Sequence, residues 1–383
     1  MEKEKLFARS NKPARPTITL DKEAPLRISR KEFLRLMITG LGGLLGVAWL
    51  QACAPQPTAA PSPTLAPIAT SQAETAAKAI RRPAIIKIYP ASPSTVVRVR
   101  HAGVWSGKQL NPKSIREMLD ASITKLTGLE DAKSAWQALF APNEEIAIKV
   151  NAFSHSLIWT HAPLVEAITQ SLIDAGIPAD NMLVYDYGTS ELEAAGFQVN
   201  EKGPGIRCYG LGMDSAHDEL LSEGVSVSLT NILKKADAVI NVPILKTHSL
   251  AGISFALKNH YGSVLTPAAL HRVDRMLPAL NALPDIKDKT RLVIGDILEA
   301  CLMYSGGFPF WKSDYVGDTI LMSFDPVAHD VVGMEIFKQL KADRGESTDA
   351  QQGLSAGWLA QCGKAGLGAN EIQNIKLEEI KLG

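Results

Sequence analysis

Four cysteines in 383 residues are too few for a disulfide scaffold. There is no C-x-x-C pair, so neither a zinc ribbon nor a local iron–sulfur motif is present. Neither charge sign is in excess. Lys plus Arg and Asp plus Glu both number 40, and a pI near 7.1 excludes a strongly basic nucleic-acid binder. Long hydrophobic runs are also missing. The longest, residues 36–50, is interrupted by Gly40, Gly42, Gly43 and Gly46. It is short of the roughly 20 apolar residues that a membrane span needs. No G-x-x-x-x-G-K-[ST], no H-E-x-x-H and no G-x-S-x-G occurs, and no G-x-G-x-x-G follows a strand-like run. What is present is an ordinary globular composition, 46% hydrophobic and 21% charged, long enough for a large core.

The balanced charge hides an asymmetry. Residues 1–52 carry ten Lys/Arg against five Asp/Glu, which leaves the rest with 30 against 35. A charged segment before a short apolar stretch is the layout of a signal peptide. Ser29-Arg30-Lys31-Glu32-Phe33-Leu34 resembles a twin-arginine leader, with Lys31 where the second arginine normally stands. Leu50-Gln51-Ala52-Cys53 resembles a lipobox, although Gln51 replaces the usual small residue. Between Ala54 and Pro67 lie five prolines among Ala, Ser and Thr, a composition suited to an extended tether. These features divide the chain into a signal peptide over 1–52, a lipid anchor and linker over 53–82, and a folded domain over 83–383. They imply an exported protein held to the outer face of the membrane through lipidated Cys53. Cys208, Cys301 and Cys362 remain, and either one disulfide or three buried free thiols suits them.

From residue 83 onward, strand-like runs alternate with helical patterns. Strands are expected over 84–89, 96–100, 146–150, 182–185, 238–242, 292–294 and 319–323. Helices are expected after Asn111-Pro112, over 162–175, over 229–235 and over 326–340, the last capped by Asp325. Continuous apolar strands alternating with helices predict an α/β fold, a largely parallel sheet with helices on both faces.

Ligands of such sheets bind beyond the carboxyl ends of the strands. The residues there are Lys149 and Asn151, Asp186, Lys246 and His248, Asp296, and Asp325. The densest stretch runs from Asn241 to Gly262 and adds Lys258, Asn259 and His260. Lysines at the mouth of a buried strand suit a phosphate or carboxylate. Histidines suit proton transfer or metal ligation. The expected roles are Lys246 and His248 as the reacting pair, and Lys149, Asn151, Lys258, Asn259, Asp186 and Asp296 around a small anion. His248, His260, Asp325 and Asp330 are the candidates for a divalent metal. Each residue alone reads more simply as a surface charge, a cap or a hydrogen-bonded core group; their clustering argues otherwise. Ser305-Gly306-Gly307 followed by Phe308, Phe310 and Trp311 reads as a surface turn.

The run from Ala236 to His248, then Ala256-Leu257-Lys258-Asn259 and Gly262, resembles the bacterial and archaeal domain-of-unknown-function family numbered 362. Ile148-Lys149-Val150-Asn151, Thr160-His161-Ala162-Pro163 and Ser323-Phe324-Asp325-Pro326 to Asp330 match in the same order. That family has no settled activity. Relatives with ferredoxin-like cysteine segments imply redox work, but this chain lacks the cysteines for a cluster. Three functions remain open: an enzyme acting on a small anionic substrate, a binding lipoprotein for a small anion or metal ion, and a redox-associated accessory protein.

Overall fold

The computed structural model describes residues 93–153, 156–270 and 272–383. The expected leader, Cys53, the proline-rich tether and the strand over 84–89 lie outside them. The centre of the fold is a 10-stranded mixed sheet. In chain order its strands are β1 (Ser94–His101), β2 (Ile146–Lys149), β3 (Met182–Asp186), β4 (Arg207–Gly210), β5 (Ala238–Asn241), β6 (Ile244–His248), β7 (Gly252–Ser254), β8 (Thr290–Cys301), β9 (Tyr315–Ser323) and β10 (Ile375–Leu382). The spatial order is β10-β1-β9-β8-β5-β2-β3-β4. From β8 to β4 every neighbouring pair is parallel, whereas β9 runs antiparallel to both β8 and β1. The chain is therefore of the α/β class expected from its alternation.

Side chains alternate across a strand, and here both faces are covered. Ile146, Ile148, Val184, Ile240, Ile294 and Met322 pack with Ile115, Leu119, Leu164 and Ile168, on helices α1 (Pro112–Thr127) and α2 (Ala162–Asp174). Ala147, Leu183, Tyr185 and Val239 turn the other way, toward Val264, Met276 and Leu280. Val96 and Leu321 share that second face with Val331, Phe337 and Trp358, from α3 (Pro326–Ala342) and α4 (Asp349–Lys364). Burial on both faces is why the strands read as unbroken Val/Ile runs.

Two local expectations need correction. Residues 229–235 are not one helix: Ser226–Thr230 is a strand of a small antiparallel ribbon with Ala216–Leu220, and only Asn231–Lys235 is helical. The Thr230 side chain caps that helix, which therefore begins only where the strand ends. Asp296 does not end its strand. β8 continues to Cys301 because β6 pairs alongside it, Ile244 opposite Asp296 and Lys246 opposite Cys301. The segment after His248 returns as the hairpin strand β7. Cys208, Cys301 and Cys362 are each free and buried, so of the two readings open for them the thiols stand.

Asp325 is committed to the frame. Its Oδ1 accepts the Val327 and Ala328 amides at the start of α3, each at 2.9 Å. Its Oδ2 accepts the Ser94 hydroxyl (2.6 Å) and the Ala369 amide (2.8 Å), which ties β1 and the C-terminal segment to the same carboxylate. Asp325→Ala is expected to lower unfolding stability by about 2–4 kcal/mol, since buried donors lose their acceptor and α3 its cap. Urea denaturation monitored by circular dichroism checks this; a midpoint equal to wild type contradicts it.

Candidate functional site

Lys149 is the last residue of β2, and Asn241 the last of β5, the next strand in the sheet. By the two-residue period both follow Ala147 and Val239, so both side chains lie on the face opposite α1 and α2. There the short helix Ala256–Asn259 brings Asn259 between them. The Asn259 Nδ2 donates to Asn241 Oδ1 at 2.8 Å, and Asn241 Nδ2 donates to the Ala256 carbonyl at 2.8 Å. This chain of amides fixes Asn259 so that its Oδ1 faces Lys149 Nζ (3.5 Å) and Asn151 Nδ2 (3.2 Å).

Lys149 is fully buried and pairs with Asp186 at the end of β3, Nζ to Oδ1 at 2.6 Å. Its ammonium also donates to the Val150 carbonyl, and the second Asp186 oxygen accepts the Ala152 amide. Burial pushes the Lys149 pKa down, while Asp186 opposes the shift by charge and hydrogen bond. Gly262 closes against this pair: a Cβ there would sit 2.2 Å from Asp186 Oδ1 and 2.8 Å from Lys149 Nζ.

Lys246 is different. It lies within β6, buried, and its Nζ donates to Asn151 Oδ1 at 2.7 Å. Two rings flank it, Trp311 at 5.3 Å and Phe153 at 5.9 Å from ammonium to centroid. No carboxylate pairs with it among the described residues. Burial lowers its pKa to about 7, with the Lys258 charge pushing the same way. Lys258 has the Tyr261 ring at 4.5 Å and no carboxylate partner among the described residues, and burial lowers it to about 8.

His248 stacks on Trp311 with centroids 5.6 Å apart, and its Nδ1 accepts the Leu250 and Ala251 amides. Lys149, Asn151, Asp186, Asn259 and Lys246 are thus one bonded set, with Lys258 within electrostatic reach and His248 joined to it only through the Trp311 ring. Asp296 lies apart, accepting both the amide and the Nδ1 of His161, at 2.9 and 2.8 Å. The four metal candidates do not converge. Asp330 receives the Ala256 and Leu257 amides and Asp325 its own helix. His260 is buried near Ser263 and Thr290, held neutral with a pKa of about 3 by burial and by the Lys149 charge.

Several contributors were not singled out from the sequence. His161 carries a doubly paired imidazole, with Glu299 Oε2 3.3 Å from Nε2. Although burial works against it, Asp296 and then Glu299 raise its pKa to about 10. Thr160 Oγ1 bonds both the Val242 carbonyl and the Asn151 amide, which joins β5 to the lysine site. Trp311 is no surface turn residue: it is buried with Ile158, Ile244 and Cys301, and its Nε1 donates to the Thr247 carbonyl. Thr160 and His161 stood within a quoted motif; the pairing of Trp311 with Ser156 across a long separation left no local signal.

The family model described as domain of unknown function (DUF362) matches residues 146–335. This match supports the family indicated by the motifs, and it spans every residue of the lysine site. Among curated proteins none matches. A crystal structure of a protein from Thermotoga maritima is similar at 12% identity and a TM-score of 0.35, over 61% of this chain and 60% of that one. The lactate racemase apoprotein from Thermoanaerobacterium thermosaccharolyticum is similar at 9% identity and a TM-score of 0.35, over 67% of this chain and 59% of that one. The chain covers about three fifths of either structure, and likeness at this level carries no argument about activity.

The two shifted centres make opposite contributions to stability. Folding raises His161 from 6.5 to about 10, so its contribution is complete below pH 6.5 and is lost as pH rises toward 10. Folding lowers Lys246 from 10.5 to about 7, so its penalty stands below pH 7 and is relieved as pH rises toward 10.5. Between these limits each slope is at most about 1.4 kcal/mol per pH unit, with opposite sign. Relative to wild type, His161→Gln is expected to gain stability as pH rises through this window, and Lys246→Met to lose it. Urea unfolding across the window measures both; three parallel profiles contradict the assignment.

Proposed function

We propose that the domain binds a small organic anion, of the carboxylate or phosphate class, at Lys246, and that Lys246 exchanges a proton with it as the catalytic acid or base. The observation that carries this reading is the contrast between neighbouring lysines. Lys149 has its own buried carboxylate, whereas Lys246 and Lys258 are desolvated without one. An uncompensated buried ammonium costs stability. An arriving anion supplies the missing charge, and Asn151 and the rings of Trp311 and Phe153 hold Lys246 toward it. A pKa near 7 lets the same group give or take a proton at neutral pH. His248, stacked on Trp311, and Lys258 complete the surroundings. A resident cofactor is no part of this reading.

The same reading places the domain outside the cytoplasm. Support comes from the leader, the lipobox-like residues and the proline tether, which together make an exported lipoprotein anchored through Cys53. Stable anchoring of this kind takes more than one acyl chain. Cys53→Ala is expected to leave the precursor uncleaved or to release the protein from membranes. Processing and fractionation identical to wild type count against the anchor.

Binding is testable with a panel of small mono- and dicarboxylates and inorganic phosphate, by calorimetry and native mass spectrometry. At least one is expected to bind, and Lys246→Met to weaken it tenfold or more, about 1.4 kcal/mol per decade. Affinity should fall as pH rises above about 7, where the free site loses its proton. No binding from the panel, or unchanged affinity in Lys246→Met, rejects the site.

A further inference from the structure

Away from the lysines, the ribbon strand Ala216–Leu220 carries His217 and Glu219 two residues apart, and therefore on one face. The short helix Pro284–Lys287 brings Asp285 to the same place. One ligand-type atom from each of these three residues lies within 4.8 Å of the others. His217 Nε2 is 3.3 Å from Glu219 Oε1 and 3.5 Å from Asp285 Oδ2. Yet Nε2 is buried and aligned for a hydrogen bond with neither.

The other ring nitrogen explains the state of this one. His217 Nδ1 lies 2.6 Å from Asn231 Oδ1, and the Asn231 amide nitrogen donates to Ser215 Oγ at 2.6 Å. That orientation leaves Oδ1 as acceptor, so the proton of a neutral ring sits on Nδ1. The Nε2 lone pair then faces two carboxylates, an arrangement that repels unless a cation lies among them. Protonation of Nε2 supplies one such charge, but a bound proton aligns with one acceptor, and no alignment is seen here. A tetrahedral metal with ligands at about 2.1 Å holds its donor atoms about 3.4 Å apart, close to both measured separations. An imidazole whose second nitrogen is fixed by an oxygen acceptor is the usual form of a metal-binding histidine. Asp285 is held in turn. Its Oδ1 pairs with Lys289 at 2.8 Å, and Lys289 also donates to the Leu233 and Lys234 carbonyls. The three side chains are 18%, 36% and 23% exposed, open enough for an ion to enter and for water to complete the coordination.

We propose that His217, Glu219 and Asp285 bind a divalent first-row metal ion, with zinc the best match to one imidazole and two carboxylates at these spacings. None of these residues touches the lysine site, so the proposal stands or falls independently of the anion reading. The experiment uses the full chain, stripped with chelator and titrated with zinc chloride by calorimetry at neutral pH. One saturable equivalent is expected, together with a rise in melting temperature. His217→Ala and the milder, more exposed Glu219→Gln should each weaken binding at least tenfold and abolish the thermal shift, with circular dichroism confirming the fold. Should His217→Ala fail to fold, Glu219→Gln and Asp285→Asn carry the test alone. Absence of a stoichiometric equivalent, or unaltered affinity in the folded variants, overturns the proposal.

Discussion

The buried pair of Lys149 and Asp186 is the constraint around which this edge of the sheet is built. Two charges taken out of water are tolerated only when their remaining hydrogen-bonding capacity is met. Here the Val150 carbonyl and the Ala152 amide, from the segment that follows β2, and Asn259, from the distant short helix, meet it. The pair therefore joins the ends of two parallel strands to the segment 256–262. Removing one partner of such a pair leaves the other charged and unpaired, at a cost of about 3–5 kcal/mol. Gly262 follows from the same packing, because no side chain fits where its Cβ would stand.

Against that satisfied pair, Lys246 is conspicuous for what surrounds it. It touches one amide oxygen and two aromatic faces, which accept a cation but do not neutralise it, and Asp186, already paired with Lys149, attracts it only from a distance. In a medium of low polarity the cheapest response is loss of the proton, hence the lowered pKa. His161 shows the reverse solution a short way off: two carboxylates converge on one imidazole and hold its proton well above neutral pH. A centre that readily loses its proton, on β6, thus lies beside the strand β8 whose two carboxylates make the imidazole of His161 keep its own. Divergent environments of this kind set apart groups with different protonation roles.

Much of this was legible in the chain. Strands buried on both faces announce themselves as continuous Val/Ile runs, and their last polar residues can be read directly; Lys149 and Asp186 were found this way. Lys246 was found in the same stretch, although it sits inside a strand rather than after one. What did not show was pairing between distant segments. Asp296 looked like a strand end because nothing local announces that β6 will lie beside β8. Asp325 and Asp330 looked like ligands because a carboxylate that caps backbone amides and one that binds a cation are the same letter. Trp311 looked like part of a turn because its burial depends on residues 156–158 and 244, far off in sequence. His217 and Glu219 alternate like any exposed strand, and Asp285, which makes them a cluster, arrives from a separate helix.

The ribbon that carries His217 is also joined to the central pair. Leu229 bridges to Val264, and the Leu265 amide donates to the Ser228 carbonyl. Ser263, immediately before, lies 3.0 Å from the Tyr185 hydroxyl, and Gly262 presses on Asp186 and Lys149. The backbone from 262 to 265 is thus held on one side by the ribbon and on the other by the ion pair. Contiguity is not coupling, which requires an element with two arrangements that both sites bias. The packing here argues for a fixed brace instead: the glycine leaves no slack beside the pair, and Tyr185 is buried in the sheet. On that view, order in the ribbon serves to keep Asn259 and Asp186 where Lys149 needs them. The neutralised lysine then stays distinct from the one that is left without a carboxylate.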